Sequence, residues 1–286
     1  MDIREPAAPL TEPEPAGACL LSTMLAPDPA PFPHTVNRTA LPRLAYEALA
    51  ASFPAVDLFA ADAAQADNRV FRIASATVRD DPRFSATWKQ FMAEHVSARF
   101  WQRLVRTFGD ELRAQHPQLE ATVGRPLHEW RVGRRGDEDC DVVLEALIVI
   151  NSPVRGGASA VKGAHIDRAD KLWTGLLYMR SEDDHTPGGA LELYAGQPGL
   201  RFDRHQAPRR HVRLGKIVDY RANTFVGFVN GVGALHAVES RPNTPHIRRY
   251  VDFVAELPRG RLFAVPQLGR LQRTAYRLLG QREATR

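Results

Sequence analysis

Two textures of hydrophobic spacing divide the chain. Toward the N-terminus apolar residues recur every three or four positions, the interval of an amphipathic helix. "LPRLAYEALAASFP", from Leu41 to Pro54, predicts one helix closed by its proline. "SATWKQFMAEHVSARFWQRLVRTFGDELR", from Ser85 to Arg113, predicts one long helix or two joined, with Gly109 as the break. His95 lies inside that stretch, and a lone histidine on a helix reads as packing or surface rather than as a ligand. Past about Pro126 the runs shorten and fill with β-branched and aromatic residues: "DVVLEALIVINSP", "TGLLYMR", "ALELYA", "TFVGFVN" and "RRYVDFVAEL". Connections rich in Gly, Pro and Asp separate them, as between strands. The tail "PQLGRLQRTAYRLLGQRE" returns to helical spacing.

Many short strands without intervening helices predict an antiparallel sandwich. The expected fold is an all-β core with flanking helices, a double-stranded β-helix (jelly roll, cupin-like) with N-terminal helices packed on it. Residues 1–30, rich in Pro, Ala and Glu, are expected to be mobile, 31–125 to form a helical support region, 126–258 the β core and 259–286 a helical tail. A chain of 286 residues with 44% hydrophobic and 25% charged residues suits such a globular domain.

Charge changes this picture only slightly. The net charge of +5 is a weak pointer to acidic partners, and the densest basic cluster spans only Arg204 to Arg213, so a nucleic-acid partner is not expected. Two cysteines, Cys19 and Cys140, are too few for a disulfide scaffold and fit a reducing compartment. No basic region precedes a long apolar core at the N-terminus, and no apolar run approaches the roughly 18 residues that span a membrane. The expected location is cytoplasmic, with no membrane partner. Nothing in the sequence sets an oligomeric state.

The candidate chemistry lies in "GAHIDRADKLWTGLLYMR". On an extended segment His165 and Asp167, two apart, project from one face. By itself that is a hydrogen-bonded pair or two legs of a metal site. The order of the downstream segments bears on the choice: a strand "LLYMR", a turn leading into "GGALELY", a strand "NTFVGFVN", then "GALHAVESR" with His236, and the basic strand "IRRYVDF". Two imidazoles and one carboxylate on one face of an octahedron suit Fe(II) and leave three positions for other ligands. By contrast "HEW" at His128 lacks the second histidine of a helical zinc motif, and His205, His211 and His246 read as polar neighbours, not ligands.

In this order the segments from about Ala146 to Glu256 resemble the iron(II)/2-oxoglutarate-dependent dioxygenases, specifically their prolyl-4-hydroxylase-like branch. "PFPHTVNRTALPRLAYEALAASFP" resembles the lead-in of some bacterial members more weakly. The resemblance implies Fe(II) held by His165, Asp167 and His236, with 2-oxoglutarate and O2 as co-substrates. It implies hydroxylation or another oxidation, since related halogenases carry Gly where Asp167 stands. Tyr178 is the implied hydrogen-bond donor to the distal carboxylate of 2-oxoglutarate, and Leu191 the apolar wall beside it. The carboxylate-binding basic residue of the family stands nine or ten positions past the distal histidine, which falls at or beside His246. An apparent insertion, "ESRPNTPHI", displaces it, and aligning the strand itself selects Arg249. Arg248 is then expected on the other side, toward solvent, and Arg241 is a third choice. Arg168, Lys171 and Trp173 are candidate substrate contacts near the barrel mouth, and the 201–212 loop is a candidate basic lid.

The expected reaction is hydroxylation of an unactivated C–H of a small metabolite, an amino acid or biosynthetic intermediate, with release of succinate and CO2. Alternatives are a peptidyl residue or glycan, a nucleic-acid base demethylated at the same iron, or a non-enzymatic cupin-like metal-binding module.

Overall fold

The computed structural model describes residues 19–23, 26–137, 139–159 and 163–283. Its helices are α1 (Arg43–Ala51), α2 (Ser75–Asp80), α3 (Ala86–His95), α4 (Ala98–Gln115), α5 (Leu119–Val123) and α6 (Arg270–Glu283). Its strands are β1 (His34–Asn37), β2 (Val70–Ala74), β3 (Val132–Gly133), β4 (Val142–Asn151), β5 (Lys171–Tyr178), β6 (Leu191–Gly196), β7 (Val212–Val218), β8 (Thr224–Val229), β9 (Leu235–Val238) and β10 (Arg248–Glu256). A major sheet runs β1-β8-β5-β10-β4-β2, with β3 beside β4, and a minor sheet runs β7-β6-β9. Every pairing except the short β3–β4 contact is antiparallel, as expected for a jelly roll.

The major sheet has two unlike faces, because successive side chains on a strand point opposite ways. Trp173, Leu177, Phe225, Val251 and Phe253 belong to the core shared with α3 and α4, where Phe91, Phe100 and Phe108 meet them. Trp173 is fully buried and packs edge-on to Phe100. Its indole lies over two glycines. A Cβ on Gly175 would stand 2.5 Å from Trp173 Cη2, and one on Gly227 would stand 2.8 Å from Cζ2. The expectation of Trp173 as a substrate contact is therefore corrected: it belongs to the helix-facing core, on the side of β5 away from the cavity.

Three further expectations change. Residues 31–125 are not purely helical, since β1 pairs β8 and β2 pairs β4 inside the major sheet. Gly109 lies within α4, and the break comes earlier, where Ser97 caps α4 by accepting the Phe100 amide. Residues 1–18, 24 and 25 of the expected mobile segment lie outside the described residues, but Cys19, Leu20 and Leu21 are buried in the helical core. Cys19 and Cys140 are both buried and not joined in a disulfide. Among the described residues, no helix is long and apolar enough to cross a membrane.

His95 fastens Leu20 to that core. Its Nδ1 donates to the Phe91 carbonyl at 2.7 Å, so its Nε2 accepts the Leu20 amide at 3.2 Å. Burial pulls its pKa down to about 4 from an ordinary 6.5, with Arg103 assisting and the Phe91 carbonyl opposing. The folded form therefore binds the proton later than the unfolded chain as pH falls. The stability this neutral histidine supplies is complete above about pH 6.5 and is lost progressively toward pH 4. The loss amounts to about 3 kcal/mol at one proton's slope of about 1.4 kcal/mol per pH unit. Denaturant unfolding from pH 7 to 4 should show His95→Gln with a shallower loss than the native chain by that slope. Parallel curves would remove His95 from the account.

Candidate metal centre

His165 and His236 meet through the backbone. Each amide donates to the other's carbonyl at 2.9 Å, a reciprocal antiparallel pair between β9 and the otherwise irregular segment before β5. Directly opposed residues of such a pair project to the same side, and the two imidazole centroids lie 4.3 Å apart. Asp167, two positions past His165, falls beside them. Donor atoms of His165, Asp167 and His236 all lie within 4.8 Å of one another, the only such acidic or imidazole trio among the described residues.

Each ligand is oriented by a second bond. His165 Nδ1 donates to the Gly163 carbonyl at 2.9 Å and His236 Nδ1 to the Ala234 carbonyl at 3.0 Å. A carbonyl only accepts, so Nδ1 carries the proton and each Nε2 keeps its lone pair for a metal. Asp167 Oδ2 accepts from Thr174 Oγ1 at 2.7 Å and from Lys171 Nζ at 3.1 Å. Burial alone would raise the Asp167 pKa, but Lys171, the two imidazoles and the Thr174 hydroxyl hold it well below the usual carboxylate range. The carboxylate is therefore ionised and fixed, with Oδ1 left for coordination. For Lys171, burial disfavours the charge, and the Asp167 and Asp252 carboxylates more than offset it, so its pKa is raised. The donor set, two neutral imidazoles and one carboxylate, fits Fe(II).

Along the inner face of β5, Thr174 is followed by Leu176 and Tyr178, so Tyr178 stands about 13 Å deeper along the strand than Thr174. Tyr178 is fully buried, and its neighbour across β8 is Thr224. Across β10 its neighbour is Tyr250, two residues after Arg248. Here the sequence expectation reverses. Arg248 is 2% exposed and points inward, with its guanidinium 4.8 to 5.1 Å from the ring centres of Tyr178, Tyr220 and Tyr250. Its Nε donates to the Gly189 carbonyl at 3.0 Å. Arg249 lies on the opposite face, over the Phe53 ring at 5.0 Å, beside Pro153, His246 and Ile247. The aromatic after the basic pair does not fix its parity; the strand pairing does. In the observed register Tyr250 faces Tyr178, so Arg248 shares its side.

Tyr178 Oη, Thr224 Oγ1 and Arg248 Nη2 are buried without a hydrogen-bond partner among the described residues. Burial pushes the Tyr178 hydroxyl up to about 12, with Arg248 opposing, so it remains a donor. Leu191 is buried in the same cluster as Tyr178, with Leu193 and Phe228. Arg241 is buried and committed elsewhere, its Nη2 reaching both oxygens of Asp184 at 2.8 Å.

Beside the ligands a cavity of about 650 Å³ opens, lined by His165, Asp167, Lys171 and Arg168, with Leu147 and Val254 on its floor. Arg168 is engaged by Asp170 and Glu256. The 201–212 loop walls it rather than swinging free: the Ala207 amide donates to the Ala164 carbonyl and the Ile166 amide to that of His205. Sequence reasoning missed Thr174 and Arg72, which also lines the cavity. Both lie at alternate strand positions that only the pairing register identifies as inward.

No protein-family model and no curated protein matches this chain. Among solved structures it is similar to a prolyl-4-hydroxylase of Pseudomonas putida, at 14% identity and TM-score 0.42, covering 79% of this chain and 93% of that one. It is also similar to the epimerase SnoN, solved with Fe3+, alpha ketoglutarate and nogalamycin RO, at 12% identity and TM-score 0.42 over 82% and 91% of the two chains. A dioxygenase for auxin oxidation from Arabidopsis thaliana, in a 2-oxoglutarate complex, overlaps at 13% identity and TM-score 0.32 over 71% and 69%. With overlap this coarse, the functional reading rests on this chain's own residues.

The Thr174 bond to Asp167 gives a direct test of the centre. Thr174→Val should weaken Co(II) binding about 10-fold or more by calorimetry, and His165→Ala should abolish it. Unchanged Co(II) affinity in both variants would refute the site.

Proposed function

We propose that the protein is an Fe(II)/2-oxoglutarate-dependent oxygenase that hydroxylates an unactivated C–H of a small molecule, releasing succinate and CO2. The observation that carries this reading is the pairing of two features in one barrel. A two-imidazole, one-carboxylate trio stands at the mouth. Deeper on the same inner face stand three buried donors, Tyr178 Oη, Thr224 Oγ1 and Arg248 Nη2, with no acceptor among the described residues other than one another. A buried donor left unmatched costs about 1–3 kcal/mol, and a carboxylate supplies the missing acceptors. A dicarboxylate reaching from the mouth inward meets both features.

In this reading His165, Asp167 and His236 hold the iron through Nε2, Oδ1 and Nε2. Bound iron with 2-oxoglutarate and O2 supplies an oxidant strong enough for an unactivated C–H. The chain's own work is positional. Thr174 and Lys171 keep Asp167 ionised and turned. Arg248, held by the Gly189 carbonyl and three tyrosine faces, presents a preorganised guanidinium to the distal carboxylate, and Tyr178 and Thr224 add neutral donors. Leu191 and Leu193 keep water from that end. The assignment of the carboxylate to Arg248 replaces Arg249, whose side chain faces away.

Anaerobic addition of Fe(II) and 2-oxoglutarate should produce a visible metal-to-ligand charge-transfer band, absent in His165→Ala. Arg248→Leu should raise the KM for 2-oxoglutarate about 10- to 100-fold, the range for losing a charged hydrogen bond. Arg249→Gln should leave that KM near its native value. A band that never forms, or an Arg249 variant as impaired as the Arg248 one, would sink this assignment.

A further inference from the structure

The charges around the cavity point to its substrate. The lining holds six Arg and Lys side chains against four carboxylates, and no Phe, Tyr or Trp. Most of these charges neutralise one another. Arg135 and Arg168 meet Glu256 at 2.9 and 3.0 Å, Lys171 meets Asp167 at 3.1 Å, and Arg277 meets Asp203 at 2.7 Å. Asp252, the fourth carboxylate, lies on the same inner face and its charge, like that of Arg72, acts on Tyr250, while Arg204 adds to the positive charge on Asp203. Two guanidiniums remain outside the close pairs, and the lining keeps two more positive than negative groups. Arg72, on the inner side of β2, and Arg204, in the 201–212 loop, make no side-chain hydrogen bond or ion pair with a described residue.

Their placement suits a ligand held between them and the metal site. Arg72 shares a cross-strand row with Val149 and Tyr250 on the inner face of the major sheet. Its charge reaches the Tyr250 hydroxyl, as does that of Lys171. Arg204 adopts a left-handed backbone (φ 58°). The loop that carries it is tied at Ala207 to Ala164 and at Phe202 to Pro266, so the guanidinium sits at a fixed rim. A cavity of about 650 Å³ is the size of a small-molecule site. With no Phe, Tyr or Trp in the lining, a flipped nucleobase, which is gripped by stacking, is disfavoured.

We propose that the primary substrate is a small anion, whose carboxylate or phosphate group is held by Arg72 on the β2 side, with Arg204 closing over it from the rim. This rests on the iron/2-oxoglutarate reading of the adjacent trio. The donors assigned to 2-oxoglutarate, Arg248, Tyr178 and Thr224, do not line this cavity, and Arg72 stands on β2 with β4 between it and the strand of Arg248. A planar guanidinium binds either oxyanion through paired N–H donors.

The test is a titration of the anaerobic enzyme, loaded with Fe(II) and 2-oxoglutarate, against a panel of small carboxylates, phosphate monoesters, and their carboxamide and dephosphorylated counterparts. The readouts are the shift of the charge-transfer band on binding and, in air, succinate release. At least one anion should shift the band and stimulate succinate, and its neutral counterpart should need at least about 10-fold more to do so. Whether carboxylates or phosphates lead separates the two chemistries. Arg72→Gln should raise the half-saturating concentration of that anion by about 10-fold or more, Arg72→Lys should recover part of the loss, and the band itself should still form in both. A preference for neutral or cationic compounds, a panel in which no anion binds, or equal titrations for native enzyme and Arg72→Gln would each overturn the proposal. A native enzyme that gives no band counts against the iron centre instead. The same anions followed by thermal shift, native against Arg72→Gln, then decide the Arg72 site on their own.

Discussion

The reciprocal backbone pair between His165 and His236 fixes everything else at the centre. A residue before β5 and one in β9 are 71 positions apart in the chain, yet two amide–carbonyl bonds of 2.9 Å make them direct neighbours. Opposed residues of an antiparallel pair share a side by geometry, so the two imidazoles start from neighbouring positions on one face. The period of two then puts Asp167 on that same side. Only the tautomers and the carboxylate remain to be set, and the carbonyls of Gly163 and Ala234 and the Thr174 hydroxyl set them.

The same alternation divides the work across the major sheet. On β10, Val251, Phe253 and Ala255 face the helices, whereas Arg248, Tyr250, Asp252 and Glu256 face the barrel. Stability and chemistry are thus carried by adjacent residues of one strand. The helix-side face is dry and aromatic, and it holds the strand rigid. The barrel-side face can then carry buried polar groups that would be hard to tolerate on a looser frame.

Legibility followed that division. The longer helices, five of the strands and the His165–Asp167 pair were readable because each rests on a local period or on a spacing of two. His236 was readable only through the order of elements around it, since nothing local separates it from His205 or His246. What misled was parity. Arg248 and Arg249 differ by one step, and a one-residue slip exchanges the faces of a strand. Trp173 stood in a charged stretch, yet the small residues Gly175 and Gly227 that make room for its indole lie in two paired strands, and only the register joins them. Gly109 was read as a break from its propensity, but α4 runs through it because Phe108 and Leu112 anchor both sides in the core. β1 and β2 escaped notice because both are short and isolated among helical segments, and their partners come more than 70 residues later.

The buried donors of the barrel show how such a site persists. Tyr178, Thr224 and Arg248 forgo hydrogen bonds that water would supply in an unfolded chain, at about 1–3 kcal/mol each. Packing offsets this: the Arg248 guanidinium touches three tyrosine faces, and the Asp184–Arg241 pair braces the Tyr220 side of that cage. Those contacts stabilise the arginine without consuming its remaining N–H donors. A carboxylate partner in the same place would take up those donors and leave none for a ligand. Enclosing the guanidinium with rings rather than with a carboxylate is what leaves donors open to the anion proposed there, and the Arg72 guanidinium, in no ion pair with a described residue, extends the same logic to the outer cavity.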